Sequence, residues 1–223
     1  MYEQKPLQIQ AYEYLTKQIK SGKLKAGVIY SETKTASELG ISRTPLKDAL
    51  VRLAQDRYVD ILPSKGFCLH EITEEDIENT YEVRCAIEYF CAVDLFHKRT
   101  SPKGVKTLGA LEDCLARQQD ILERGGNIER FFQFDDRFHQ TIIHFTNNPE
   151  FQRLYATFSY WVSKLAHATL RQPGRMEQAL AEHRRIYDNL LGDDLSQLYQ
   201  AVMEHLEITR DLSLHIQRSD LPE

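Results

Sequence analysis

Apolar residues recur at the three- and four-residue spacing of an α-helix along most of the chain. The first such pattern covers residues 7–21 and stops at Gly22, a residue type that commonly ends helices. Two shorter patterns follow over residues 32–39 and 44–56. The N-terminal segment is therefore predicted to hold three helices in close succession.

The alternation typical of β-strands is confined to residues 58–71. Residues 58–62 are rich in β-prone side chains, residues 63–66 have the composition of a turn, and apolar residues resume from Phe67. This pattern predicts a small β-hairpin. Three helices followed by a hairpin at the start of a chain are the outline of a winged helix-turn-helix domain.

Six longer helical patterns follow the hairpin, and several begin with Ser-Pro or Asn-Pro, a cap followed by a proline. They cover residues 73–98, 101–124, 127–146, 148–170, 174–191 and 193–218. Their short connections favour antiparallel packing of neighbouring helices. The sequence thus predicts a mostly α protein, with a winged helix-turn-helix domain over residues 1–71 and an antiparallel bundle of about six helices over residues 72–223.

Charge is unevenly divided along the 223 residues. Residues 1–66 contain 11 Lys and Arg against 7 Asp and Glu, whereas residues 67–223 contain 17 against 26, for a net charge of −5. A basic head and an acidic body suggest two modules with different partners. The sequence has no signal-peptide core, no apolar run long enough to span a bilayer and no C-x-x-C pair among its four cysteines. We therefore expect a cytoplasmic protein with reduced thiols and no membrane partner.

Residues 36–50 have the layout of a helix-turn-helix, with Gly40 at the tight turn. Arg43, Thr44 and Lys47 fall near the start of the second helix. Arginine can bind guanine through two hydrogen bonds, and threonine and lysine reach phosphates or base edges. On these grounds alone, an ordinary solvated helix face is an equally good interpretation.

Residues 42–50, SRTPLKDAL, resemble the signature of the GntR family of bacterial transcription regulators, which typically reads SRTPVREAL. The resemblance covers the whole predicted head and implies binding to double-stranded DNA. The implied DNA-binding residues are Ser42, Arg43, Thr44, Lys47, Lys65 and Gly66. Lys47 stands where the family usually has arginine, which implies a point-charge contact instead of a bidentate one. Thr33 likewise stands near a position where relatives often carry arginine.

Histidine placement is the second informative feature. Asp135 and His139 are four residues apart on one predicted helix and project from the same face, whereas Asp136 points off that face. His183 and His205 lie on the last two helices, and facing helices of a bundle can bring such groups to one point. One carboxylate and three imidazoles suit a divalent metal, zinc first, with nickel, cobalt or manganese as alternatives. From spacing alone, however, each histidine is more often a surface or hydrogen-bonded residue.

Residues 134–139, FDDRFH, resemble the D-x-x-x-H motif of the FCD ligand-binding domain, found in the FadR branch of the GntR family. Residues 182–186, EHRRI, followed by LGD at 191–193, resemble its second motif, and residues 203–206, MEHL, resemble its last histidine motif. The resemblance spans most of residues 73–215, and six body helices are similar to the VanR-like subgroup. It implies that four residues bind the metal, namely Asp135, His139, His183 and His205.

Residues 82–88, EVRCAIE, resemble the R-x-x-x-E stretch of the first FCD helix, where the arginine faces an effector cavity. Family effectors are often organic acids, and the fork of a guanidinium suits a carboxylate. Arg84 is thus an implied effector contact, with an ion pair to Glu88 as the alternative. Asn148 either caps its helix or lines the cavity, and His167 is a further candidate for the cavity.

Together these features predict a transcription regulator, not an enzyme. We expect a homodimer on a near-palindromic operator, because a helix-turn-helix dimer reads two half-sites. A small carboxylate effector at the metal site would modulate operator binding. The alternatives are a metal-responsive regulator with no organic effector and a metal-dependent hydrolase, since an open metal site can activate water.

Overall fold

A computed structural model describes residues 5–219. The chain divides into two compact units, Met1–Ile72 and Thr73–Glu223, which are described separately. The division falls one residue after the predicted boundary. Helices dominate both units, so the predicted mostly α fold class is confirmed.

From residue 5 onward, the N-terminal unit contains three helices and a two-stranded antiparallel hairpin. Its elements are α1 (Leu7–Lys20), α2 (Glu32–Glu38), α3 (Arg43–Gln55), β1 (Val59–Leu62) and β2 (Gly66–Leu69). Leu15 of α1 and Leu46, Leu50 and Leu53 of α3 are buried and form the core with Phe67 of β2. The apolar spacing that predicts the helices is therefore the spacing that packs them together.

Helix α3 begins without a side-chain cap. Ser42 occupies the N-cap position in extended backbone, but its side chain accepts no capping hydrogen bond. The Ser42 hydroxyl is left exposed at the end of the helix.

Over residues 73–219, the C-terminal unit is a bundle of six helices. They are α4 (Glu74–Lys98), α5 (Pro102–Glu123), α6 (Ile128–Phe145), α7 (Pro149–Leu170), α8 (Arg175–Leu191) and α9 (Leu195–Ser219). The predicted ends of all six lie within two residues of these bounds. The extensive contacts of α4 with α9 and of α5 with α6 surround a core that includes Phe131 and Phe138. Over residues 5–219, no helix is both long and apolar enough to cross a membrane.

Short-range caps fix where the body helices begin. Thr73 and Asp76 form a capping box at α4: the Thr73 hydroxyl accepts from the Asp76 amide at 3.1 Å, and the Asp76 carboxylate accepts from the Thr73 amide at 2.9 Å. Ser101 accepts from the Gly104 amide at 3.0 Å at the start of α5. Such caps contribute about 1 kcal/mol each and are readable from sequence because both partners are close together.

Two glycines of α5 give a matched test of packing against the end of α4. A Cβ atom on Gly104 would collide with the Lys98 carbonyl oxygen and lie 2.7 Å from that of Arg99, whereas a Cβ on Gly109 meets nothing within 4 Å. We expect Gly104→Ala to lower the free energy of unfolding by about 1–3 kcal/mol through overpacking. Gly109→Ala should raise it by about 0.5–1 kcal/mol because alanine loses less backbone freedom on folding. Urea titrations followed by far-UV circular dichroism would measure both, and equal effects of the two substitutions would contradict the close approach.

Candidate functional site

Three buried histidines from separate helices meet in the core of the bundle. They are His139 of α6, His183 of α8 and His205 of α9, which are only 3 %, 0 % and 4 % exposed. Each offers a ring nitrogen, and the three nitrogens lie within 4.8 Å of one another. The Nε2 atoms of His139 and His205 are 3.3 Å apart. Three imidazole nitrogens at this separation form the kind of donor set that binds a transition metal.

Asp135, the fourth predicted ligand, lies beside one of the three histidines. Its Oδ1 atom lies 3.6 Å from the Nε2 atom of His183, one helical turn before His139. The neighbouring Asp136 is directed elsewhere, since it accepts from the Tyr155 hydroxyl at 2.9 Å and from the Gln140 amide at 2.7 Å. The helical periodicity that favours Asp135 over Asp136 is therefore observed.

The other ring nitrogen, Nδ1, is hydrogen-bonded in all three histidines. The pairs are His139 with Glu88 at 2.6 Å, His205 with Glu182 at 2.7 Å and His183 with Gln118 at 3.2 Å. Sequence reasoning considers Glu88 only as a partner of Arg84 and does not single out Gln118. No local pattern marks Gln118, whereas Glu182 directly precedes a predicted ligand and lies within the quoted EHRRI stretch.

The chemistry of the site fits a bound cation. His183 Nε2 is buried and has no hydrogen-bond partner among the described residues, an arrangement that costs free energy unless something binds there. Burial, together with the positive charge of neighbouring histidines, holds the pKa of His183 well below its usual range. His183 is therefore neutral and presents either a lone pair or an unused N–H at the centre of the cluster. A divalent metal would use the lone pair directly.

The pKa values of His139 and His205 are shifted in opposite directions. Burial acts to lower the pKa of His139, but the Glu88 carboxylate outweighs it, and the pKa is raised. For His205, burial prevails over the opposing effect of Glu182, and the pKa is lowered. The surroundings thus favour the neutral form of His183 and His205, whereas Glu88 favours the protonated form of His139, which would have to release a proton to bind a metal.

Arg84 lies beside this cluster on α4. Its Nε atom donates to Glu88 at 2.8 Å, and both side chains are buried. Burial acts to raise the pKa of Glu88, but Arg84 and His139 overcome it and hold that pKa well below its usual range. The ion pair that the sequence leaves open as an alternative is therefore present, and it connects Arg84 to a metal-ligand candidate.

The two remaining effector candidates are held in other local contacts. Asn148 caps α7, because its side-chain oxygen accepts from the Glu150 amide at 3.0 Å. His167 lies 2.7 Å from the Ser163 carbonyl oxygen through Nδ1 and 2.8 Å from Glu129 through Nε2. His167 is not one of the three clustered histidines, and an effector contact by either residue stays a prediction.

A second site lies on the N-terminal unit, where α2, α3 and the hairpin turn surround a cleft of about 260 Å³. Arg43 and Lys47 of α3 line it together with Thr33 and Lys65, and all four are exposed. Thr44 is exposed on the same first turn of α3. The structure thus brings the predicted DNA-contacting cations of the helix and the hairpin to one surface.

Two features of this cleft are not evident from the sequence. The Glu32 carboxylate lies 3.7 Å from Arg43 Nη2 and 3.8 Å from Lys47 Nζ, so an acidic residue stands between the two cations. Gly66 is buried with φ +127°, and a Cβ there would collide with the Tyr30 carbonyl oxygen. Tyr30 pairs with Phe67 by two backbone hydrogen bonds of 2.7 and 3.0 Å. Gly66 thus fixes the turn that carries Lys65, and a DNA contact by Gly66 itself stays a prediction.

Comparison with known proteins agrees with both units. The FCD domain family matches residues 79–208, and the family described as bacterial regulatory proteins, gntR family, matches residues 7–69. The HTH-type transcriptional repressor RspR of Escherichia coli K12 is 25% identical over 202 residues, which cover 91% of this chain and 86% of that protein.

Two solved structures share the fold. That of E. coli McbR/YncC has a TM-score of 0.61 at 20% identity and covers 97% of this chain and 99% of its own. A metal-free FCD domain, that of TM0439, has a TM-score of 0.54 at 21% identity and covers 67% of this chain and 99% of its own. Since the FCD family alone matches more than half of the residues and the gntR family matches the head, this chain belongs to the GntR family of DNA-binding transcription regulators and carries a C-terminal FCD domain.

Proposed function

We propose that this regulator is a metal-dependent repressor whose operator binding responds to a small carboxylate. The observation that carries the proposal is the meeting of His139, His183 and His205, whose ring nitrogens lie within 4.8 Å of one another, with no hydrogen-bond partner for His183 Nε2 among the described residues. Repression is suggested by the relative RspR, which is named a repressor. The matched families are regulators and not enzymes, so the hydrolase alternative is not favoured.

Asp135 and the three histidines would hold the metal, and zinc is the first candidate, with nickel, cobalt or manganese as alternatives. Three imidazole nitrogens are borderline ligands, and together with one carboxylate oxygen they suit these ions better than magnesium or calcium, which prefer oxygen ligands. Four protein ligands leave one or two positions on a metal of higher coordination number. The metal would supply positive charge and open positions for an anionic ligand.

The charges around the cluster favour a carboxylate as that ligand. Arg84 and Glu88 form a buried pair, Arg175 and Glu182 form a partly buried one, and the charges within each pair cancel. A divalent ion beside Asp135 then leaves one uncompensated positive charge in a buried place, which is costly. A carboxylate would neutralise it. The guanidinium of Arg84, which uses only its Nε atom toward Glu88, is the side chain best suited to share in binding it.

Operator binding is assigned to the cleft of the head. Arg43 would read a base edge, while Ser42, Thr44, Lys47 and Lys65 would contact the phosphate backbone or neighbouring base edges. The protein would act as a homodimer, because one head reads one half-site of a near-palindromic operator. An effector regulates such a dimer only by binding its DNA-competent and incompetent states with different affinity.

The first prediction concerns Arg43 in the head. Arg43→Ala should weaken binding to the selected operator by about 1–3 kcal/mol and relax its sequence preference, because a base contact is lost. The operator would be obtained by selecting duplexes from a random pool with the wild-type protein, and affinities by fluorescence anisotropy at several salt concentrations. Lys17→Ala is the control, since it removes one charge from α1 outside the cleft. A pool that shows no enrichment under any condition would contradict the assignment.

The second prediction concerns metal binding. Wild-type protein should take up about one zinc ion per chain and gain about 2.7 kcal/mol of stability at a hundredfold excess of free zinc over its Kd. His183→Ala should lose both the stoichiometric metal and that gain, each variant being compared with its own metal-free form. His144→Ala is the matched control, because His144 is an exposed histidine of α6. Elemental analysis and thermal unfolding provide the measurements, and full zinc retention by His183→Ala would refute the site.

The third prediction separates the proposed effector from the metal-only alternative. At least one member of a panel of mono-, di- and tricarboxylates should change the operator affinity of the zinc-loaded protein by about 5- to 150-fold. The same acid should have no such effect on the metal-free protein. Operator affinity that follows zinc occupancy and ignores every acid would favour the metal-responsive regulator with no organic effector.

A further inference from the structure

Each clustered histidine has one hydrogen-bond acceptor on its Nδ1 side. The acceptors are Glu88 for His139, Glu182 for His205 and Gln118 for His183. All three lie on the side of the ring away from Nε2. A ring whose Nδ1 donates a hydrogen bond carries its proton there and keeps the lone pair of Nε2 free.

The two carboxylates are themselves held in place by buried arginines. Glu88 Oε1 accepts from Arg84 Nε at 2.8 Å, while its Oε2 faces His139. Glu182 accepts from Arg175 Nη1 at 2.8 Å and from Nη2 at 2.9 Å. These contacts leave neither carboxylate free to rotate away from its histidine, and an ionised carboxylate can only accept hydrogen bonds.

We propose that Glu88 and Glu182 are positioning residues for the metal. Each fixes the tautomer and the ring orientation of one histidine, so that Nε2 of His139 and of His205 faces the shared point beside His183. This inference rests on the proposed metal site. It gives the Arg84–Glu88 and Arg175–Glu182 pairs a role besides stability. Buried ion pairs seldom add stability by themselves.

Glu88 offers the sharper test because its two oxygens have different partners. In Glu88→Gln, the remaining amide oxygen is drawn to the Arg84 Nε–H group, and the amide nitrogen then faces His139 Nδ1 as a donor. His139 would have to accept at Nδ1 and carry its proton on Nε2. That tautomer cannot bind the metal through Nε2, although the side-chain volume is almost unchanged.

The experiment measures zinc affinity of the full-length protein by competition with a chromophoric chelator. Glu88→Gln should bind zinc about 10- to 100-fold more weakly than wild type, the range expected when the outer partner of a ligand is lost. The absorption spectrum of the cobalt-loaded variant should change as well, because the ligand set changes. Glu150→Gln is the control, since Glu150 forms an exposed ion pair with Arg153 and is not a hydrogen-bond partner of the three histidines. Far-UV circular dichroism of the metal-free proteins verifies folding.

The outcomes separate this inference from the metal site itself. Unchanged zinc affinity and an unchanged cobalt spectrum in folded Glu88→Gln would overturn the positioning role and leave the metal site standing. Wild-type protein that binds no divalent metal would overturn both. If Glu88→Gln does not fold, Glu182→Gln takes its place with the same expected loss of affinity.

A measurement on the unsubstituted protein tests the same point. Long-range ¹H–¹⁵N correlation spectra of the zinc-loaded wild type should show His139 and His205 protonated at Nδ1 and bound to metal through Nε2. Binding of either ring through Nδ1 would overturn the inference, whatever the variants do.

Discussion

A histidine that is buried in a helical core must donate its Nδ1 hydrogen to an acceptor. The C-terminal unit provides such an acceptor for each of its three clustered histidines. The three rings are buried, and their acceptors come from protein side chains. Two of them are carboxylates, which bring a charge that must be balanced in turn by Arg84 and Arg175. Removing one member of such a pair leaves an uncompensated buried charge and costs about 3–5 kcal/mol. The polar groups at the centre therefore depend on one another: the histidines require the carboxylates, and the carboxylates require the arginines.

This centre also explains how the bundle combines stability with a binding site. Leucine, isoleucine and phenylalanine side chains such as Leu111 and Phe138 fill the core, and the ring of Phe138 stacks on that of His183 at 4.6 Å. The apolar packing keeps the rings rigid, and the polar contacts set which nitrogen faces inward. A site built on rigid helices holds its donors more closely than one built on loops.

The sequence predicts the features whose partners are close in the chain. The cap at Ser101 involves residues only three apart, and the helix ends are predicted to within two residues. The meeting of His139, His183 and His205 is suggested by motif resemblance, because spacing along the chain says nothing of how three helices face each other.

The remainder depends on tertiary contacts that no local pattern records. Glu88 has an obvious partner four residues earlier in Arg84, and this hides its second bond to His139. Gly66 is predicted as part of a DNA-contacting turn, yet its conformation is set by the backbone of Tyr30, far upstream. Glu32 likewise lies close to Arg43 and Lys47 only once α2 and α3 have packed.

The histidine cluster and its acceptors come from five helices, α4, α5, α6, α8 and α9, and span the chain from Glu88 to His205. The proposed site consequently does not exist on a growing chain until α9 has been synthesised and has docked. Metal binding would therefore require these helices to have docked, and metal occupancy would report on the folded state of the bundle.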